Sequence, residues 1–228
     1  MRVPRAVSFI DLSGFTALTQ EQGDDRAVLM LSTFRTMVRE VCSRRGVRIA
    51  KWLGDGAMLV GVECKPLIAT VLELQLTANR SEPPIGVRCG MTADDIILFE
   101  GDDYIGHAVN VAARLCDLAP DGGVWAGQNI VGHLPAWSAV LAEEEIEVRG
   151  IEGPMHVWRL GFAKLAGEVL TDPVCSIPLT VDVAEESARD AFGSPVLFCS
   201  ESCRETWEHG PKPPPEVQGS LRMPFFSS

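Results

Sequence analysis

The chain has 228 residues, 46% of them hydrophobic and 22% charged, with a formal net charge of −11. That length suits one ordinary domain plus a small one, or a single large domain, and the composition supplies ample material for a core. It excludes the basic surface that binding a nucleic-acid backbone requires. No apolar run approaches the ~20 residues of a membrane span, and the N-terminal residues Met1–Arg5 do not form a signal segment. The expectation is a cytoplasmic protein with neither a membrane nor a nucleic-acid partner. Of seven cysteines, Cys42, Cys64, Cys89 and Cys116 fall in apolar patterns and read as buried thiols. Cys175, Cys199 and Cys203 cluster in the last quarter.

In chain order, Arg5–Asp11 reads as a strand that ends on a carboxylate, and a short helix spans Gly14–Gln22. A longer helix follows from Asp24 or Asp25 to Ser43, because Leu29, Leu31, Phe34, Met37, Val38 and Val41 recur at helical spacing. Val47–Trp52 and Ala57–Val62 are strands around the tight-turn signature Gly54-Asp55-Gly56. Pro66–Asn79 is helical, Ile85–Met91 and Ile96–Phe99 are strands, and Gly106–Leu118 is a helix. Val124–Ala126 is a short strand, Asn129–Leu134 a short helix, and Glu145–Val148 and Met155–Leu160 are strands joined by a turn. The expected fold is α+β: a ferredoxin-like βααββαβ antiparallel sheet with helices on one face, plus a small C-terminal cysteine module. The expected divisions are 1–165, 170–211 and a Pro-rich disordered tail, 212–228.

Three segments carry chemistry. Phe9-Ile10-Asp11-Leu12-Ser13-Gly14-Phe15-Thr16 places an acid at a strand end and then opens a helix, whose free N–H groups suit phosphate oxygens. Lys51-Trp52-Leu53-Gly54-Asp55-Gly56 places a second acid in a hairpin turn. Two carboxylates on neighbouring strand ends suit hard divalent cations. In Asp103-Tyr104-Ile105-Gly106-His107-Ala108-Val109-Asn110-Val111-Ala112-Ala113-Arg114, Asn110 and Arg114 are four apart and share a helix face. His107 and His133 read as structural.

In this order and spacing, and with the closing stretch Glu147–Pro154, residues 5–162 resemble the class III adenylyl/guanylyl cyclase catalytic domain. The resemblance implies an adenylate cyclase that converts ATP to 3′,5′-cyclic AMP and pyrophosphate in intracellular signalling, using two Mg²⁺ or Mn²⁺. It implies that Asp11 and Asp55 hold the metals, and that Lys51 and Asp103 read the purine. Asn110 would orient the ribose, and Arg114 would stabilise the transition state. Gly14, Phe15 and Thr16 would offer backbone amides to the phosphates. It also implies a homodimer with sites at the interface, where the metal aspartates come from one subunit and the other four residues from its partner. Where the family usually has a glycine, this chain has Asp94, and a turn is expected there because Asp tolerates positive φ. The alternative is a catalytically silent cyclase-homology module with a metal- or redox-sensing tail.

Behind this region, Asp172-Pro173-Val174-Cys175 and Cys199-Ser200-Glu201-Ser202-Cys203 resemble the YHS/TRASH-like small domains. The resemblance covers residues 170–211 and implies a soft-metal site for Zn²⁺ or Cu⁺ on Cys175, Cys199 and Cys203. His209 is the nearby candidate to complete it. Reduced cysteines that merely pack a tiny domain are the other reading.

Overall fold

The computed structural model describes residues 1–101, 103–151 and 153–210. The expected tail, 212–228, lies outside the described residues. The chain divides into a compact unit Met1–Lys164 and a second that starts at Leu165.

The first unit is built on β1 (Arg2–Leu12), flanked by β3 (Gly56–Gly61) on one side and β4 (Val87–Phe99) on the other. With β2 (Arg48–Leu53), β6 (Val124–Ala126), β7 (Ser138–Glu147) and β8 (Pro154–Phe162), the sheet order is β2-β3-β1-β4-β6-β8-β7. All neighbours are antiparallel except β4 and β6. A short β5 (Asp103–Ile105) pairs with the end of β4. Ala6, Val7, Ile10 and Leu12 of β1 are all nearly inaccessible. Both faces of the central strand are therefore covered, as expected of a strand with apolar residues at odd and even positions.

Between β1 and β2 run α1 (Phe15–Gln22) and α2 (Asp24–Arg44), and α3 (Cys64–Arg80) joins β3 to β4. Phe34, Met37, Val38 and Val41 give α2 its buried stripe. Arg44 at its end and the adjacent Arg45 both pair with Glu73 of α3; the Arg45 Nε–Glu73 Oε2 distance is 2.6 Å. Burial pushes the Glu73 carboxyl up, and the two guanidinium groups oppose that shift. Leu67 of α3 lies against Gly61, the register partner of Ala6, so α3 covers the face on which Ala6 lies.

The expected single helical face describes α2 and α3, which belong to the β1–β4 core. The next helix, α4 (His107–Leu118), lies across the opposite face. There Ala108 and Ala112 pack with Val7, Met58, Val60, Ile96 and Tyr104. Gly90 makes this approach possible: a Cβ there would lie 2.1 Å from the Cys116 nitrogen and 2.3 Å from the Ala112 carbonyl oxygen.

The turn expected at Asp94 does not form. β4 runs unbroken through it, Asp94 pairs in register with Arg5, and its exposed carboxylate accepts the Asp95 N–H at 2.7 Å. A long antiparallel partner holds the backbone extended, and that outweighs the local preference of Asp for turns. Among the described residues no helix is long and apolar enough to cross a membrane.

In the second unit, β9 (Leu170–Thr171) pairs with β10 (Pro178–Leu179) and β11 (Glu186–Arg189) with β12 (Pro195–Phe198), followed by α6 (Glu201–His209). A four-residue helix in the first unit, Gln128–Val131, is α5.

Candidate active site

Asp11 sits one residue before the end of β1, in register with Gly56 on one side and Arg88 on the other. Asp55 occupies the turn between β2 and β3. Gly54 in that turn has φ 63°, a conformation that favours glycine. Gly56 leaves room for Asp11, because a Cβ there would stand 2.6 Å from the Ile10 carbonyl oxygen and 3.0 Å from Asp11 Oδ1. The glycines of the Gly-Asp-Gly signature thus let the second acid close in on the first.

Burial and the negative charge of Asp11 push the Asp55 carboxyl above its ordinary range, while Arg88 opposes this. Arg88 holds Asp11 with two hydrogen bonds, Nη2–Oδ2 at 2.5 Å and Nε–Oδ2 at 3.0 Å. Two carboxylates in mutual repulsion, with the Arg88 guanidinium opposing, bring acidic oxygen donors together. That donor set fits hard divalent cations. Burial pushes the nearby Cys116 thiol up to about 12, so this sulfur is protonated and not a nucleophile.

The other four expected residues fall into two further groups. Lys51 on β2 and Asp103 on β5 meet at 2.7 Å, both partly exposed. β5 folds back over the sheet, and its Tyr104 packs into the Val7–Met58–Val60 cluster, which carries Asp103 to Lys51. The lysine hydrogen bond holds the Asp103 carboxyl below its ordinary range, helped by the Tyr104 N–H bonded to Oδ1 at 2.7 Å.

Asn110 and Arg114 project from α4 beside its buried residues Val111 and Leu115. With His107, Ala113, Arg149, Gly150 and Ile151 they line an open cleft of about 420 Å³. Arg114 Nη1 reaches the Asp117 carboxylate at 3.4 Å. Two guanidinium groups and an amide are donors of a kind that suits an anion. It contains neither the two aspartates nor the Lys51–Asp103 pair.

Sequence reasoning missed Arg88 as a partner of Asp11, because the antiparallel register alone brings them together. It did not single out Arg149, although its place in the turn before Gly150 was a signal. His107, read as structural, lies on the cleft wall. At the start of α1, Gly14 is the left-handed N-cap with φ 73° and has no side chain to cap the first amides.

The fold of the first unit is that of the catalytic domains of nucleotide cyclases. The guanylyl cyclase Cya2 superposes with a TM-score of 0.64 at 18% identity, over 72% of this chain and 95% of that one. The adenylyl cyclase CyaB from P. aeruginosa superposes at 0.61 with 20% identity, over 74% of this chain and 98% of the other.

By sequence, an uncharacterized protein of Mycobacterium tuberculosis is 31% identical over 154 residues, 68% of this chain and 40% of that protein. An adenylate cyclase of Streptomyces coelicolor is 30% identical over 119 residues, 52% of this chain and 31% of that enzyme. The chain thus matches well under two thirds of the length of these relatives. No family model matches it.

Proposed function

We propose that the chain is an adenylate cyclase that makes 3′,5′-cyclic AMP and pyrophosphate from ATP. The observation that carries this reading is the meeting of Asp11 and Asp55, the latter with its carboxyl pushed upward, at adjoining strand ends. Divalent cations, Mg²⁺ or Mn²⁺, on these two carboxylates would supply the Lewis acidity that acidifies the ribose 3′-hydroxyl and neutralises the triphosphate.

The chain's own residues do the rest. No protein nucleophile is needed: the 3′-oxygen bonds to the α-phosphorus, its proton passes to water, and the bond to the pyrophosphate oxygen breaks. Arg114 presents its guanidinium to the charge that grows on the α-phosphoryl oxygens, and Asn110 orients the ribose. The amides of Gly14, Phe15 and Thr16 face the β- and γ-phosphates at a helix N-terminus.

The Lys51–Asp103 pair selects adenine. Lys51 donates to N1 and Asp103 accepts from the 6-amino group, whereas guanine reverses both polarities and would leave two polar groups unpaired. Because the cleft at Asn110 and Arg114 contains neither aspartate, the working form is a homodimer in which each site takes Asp11 and Asp55 from one subunit and the other four residues from its partner.

The test is product formation from ATP and from GTP by purified protein with Mg²⁺ or Mn²⁺, beside an Asp11→Ala variant. Cyclic AMP from the parent and none from the variant is the expected result. One observation favours a second reading, a silent regulatory module: Arg88 engages the carboxylate of Asp11 that a metal would use. No product from a folded dimer with either metal would select that reading.

A further inference from the structure

In the second unit Cys175, Cys199 and Cys203 gather around the buried Asp172, the grouping that the resemblance of this segment implies. The meeting of Lys51 and Asp103 in the first unit depends on two features that neither residue supplies.

The first is an irregular step in β2. Arg48 stands opposite Val60 of β3, Ile49 opposite Leu59 and Lys51 opposite Met58, so Ala50 has no register partner of its own. Side chains alternate along a regular strand, which would put residues three apart on opposite faces. The extra residue cancels that change of face. Met58 and Val60 both belong to the cluster of Val7 and Tyr104, and Ala50 packs against it. Directly opposed residues share a face. Arg48 and Lys51 therefore both rise on the face that carries Tyr104.

The second is Arg48 itself. Its guanidinium lies 5.8 Å from the centre of the Tyr104 ring, and its Nη1 donates to the Tyr104 hydroxyl at 3.5 Å. Below, the same ring packs on Val7, Met58, Val60 and Ile96. Tyr104 follows Asp103 directly. Its N–H binds Asp103 Oδ1 at 2.7 Å, and Lys51 Nζ binds Oδ2 at 2.7 Å. One carboxylate oxygen is thus tied to the residue that Arg48 holds, and the other to the lysine beyond the bulge. β5 meets β4 at only three register pairs, so these side-chain contacts decide where Asp103 stands. The lysine hydrogen bond and then the Tyr104 N–H hold the Asp103 carboxyl below its ordinary range, and Arg48 bears on the second of these.

We propose that Arg48 is a positioning residue for purine selection: by holding the Tyr104 ring it fixes the Asp103 carboxylate opposite Lys51, so that the pair meets the base in one geometry. Arg48 touches no reacting atom. The proposal rests on the cyclase reading for its substrate, and its test includes a measurement that needs no turnover.

Arg48→Ala is compared with the parent chain. With ATP and GTP as substrates at saturating Mn²⁺, the kcat/KM preference for ATP should fall by about three- to fivefold. The loss should appear as a higher KM for ATP at nearly unchanged kcat, because base recognition serves the ground and transition states alike. In protein labelled with ¹³C at the Asp carboxyls, the Asp103 signal, assigned with Asp103→Asn, should titrate nearer its ordinary value than in the parent. The Tm should hardly move, since Arg48 is exposed. Tyr104→Phe keeps the ring and loses only the hydroxyl, so it should shift both readouts the same way by less. Arg48→Lys restores the charge without the planar stack and should recover only part of the preference.

In a parent that turns over ATP, an ATP-to-GTP preference unmoved by Arg48→Ala would overturn the proposal, as would an unmoved Asp103 titration. Either would leave Arg48 a surface cation. A parent chain that makes no cyclic nucleotide would overturn the cyclase reading instead, and the Asp103 titration would then decide alone whether Arg48 places the pair.

Discussion

Lys51 and Asp103 come from separate strands and reach each other only because β5 folds back over the sheet. Their 2.7 Å contact also means that a purine entering between them must exchange one hydrogen bond for two. The exchange is favourable only if the base offers an acceptor to the lysine and a donor to the carboxylate. Lys51→Glu combined with Asp103→Cys reverses the first polarity and removes the fixed acceptor at the second. The expected outcome is a shift of kcat/KM toward GTP by tenfold or more, about 1.4 kcal/mol in relative transition-state binding. Thermal unfolding should be nearly unchanged, because both side chains are partly exposed and such pairs contribute little. An unchanged ATP-to-GTP ratio in the folded double variant would reduce the pair to a surface ion pair.

At the scale of elements, the Asp55 turn is braced from α2. Arg35 Nη2 donates to the Gly54 carbonyl at 3.0 Å, and its guanidinium lies 5.0 Å from the centre of the Trp52 ring, with that of Arg39 at 5.2 Å. Arg35→Ala should cost about 1 kcal/mol or less in stability. It should raise the Mg²⁺ or Mn²⁺ concentration needed for half-maximal activity, while kcat at saturating metal changes little. A lower Tm with an unmoved metal requirement would leave Arg35 a purely structural role.

The legibility of the sequence follows the same physics. The long helices and β1–β3 were readable, because their apolar residues recur at helical or strand spacing and glycines mark the turns. The sequence reads as two strands where β4 lies, since Ala93-Asp94-Asp95 interrupts the apolar run, yet β1 pairs with β4 continuously from Val87 to Ile97. The sequence shows β7 only from Glu145 on, because its outer position leaves Leu141, Glu143 and Glu144 exposed and burial imposes no pattern on them. β5 has three residues, too few to show a period. The proposed site residues are legible as residue types and in their pairs, whereas Arg88 as the partner of Asp11 is not, because only sheet register brings the two together, and neither is the backbone N–H of Cys199 as a donor to Asp172.

For the whole molecule, the decisive feature is that the residues proposed to act on one nucleotide lie in separate groups on one chain. Asp11 and Asp55 lie together at adjoining strand ends, whereas Asn110 and Arg114 line a cleft that contains neither of them. If the partner subunit supplies the missing half, two inactive variants should rescue each other. Asp11→Ala spoils the metal half of its own chain and leaves its Asn110/Arg114 half intact; Arg114→Ala does the reverse. In a mixed dimer, one site receives both lesions and the other receives none. Random pairing yields half mixed dimers, each with one of two sites working, so an equimolar mixture should regain about a quarter of the parent activity. Sites contained within a single chain would give no recovery at any mixing ratio, and association would then have to serve something other than completing the site. Recovery near a quarter, rising and falling with the fraction of mixed dimer as the ratio is varied, would place each reaction between two chains.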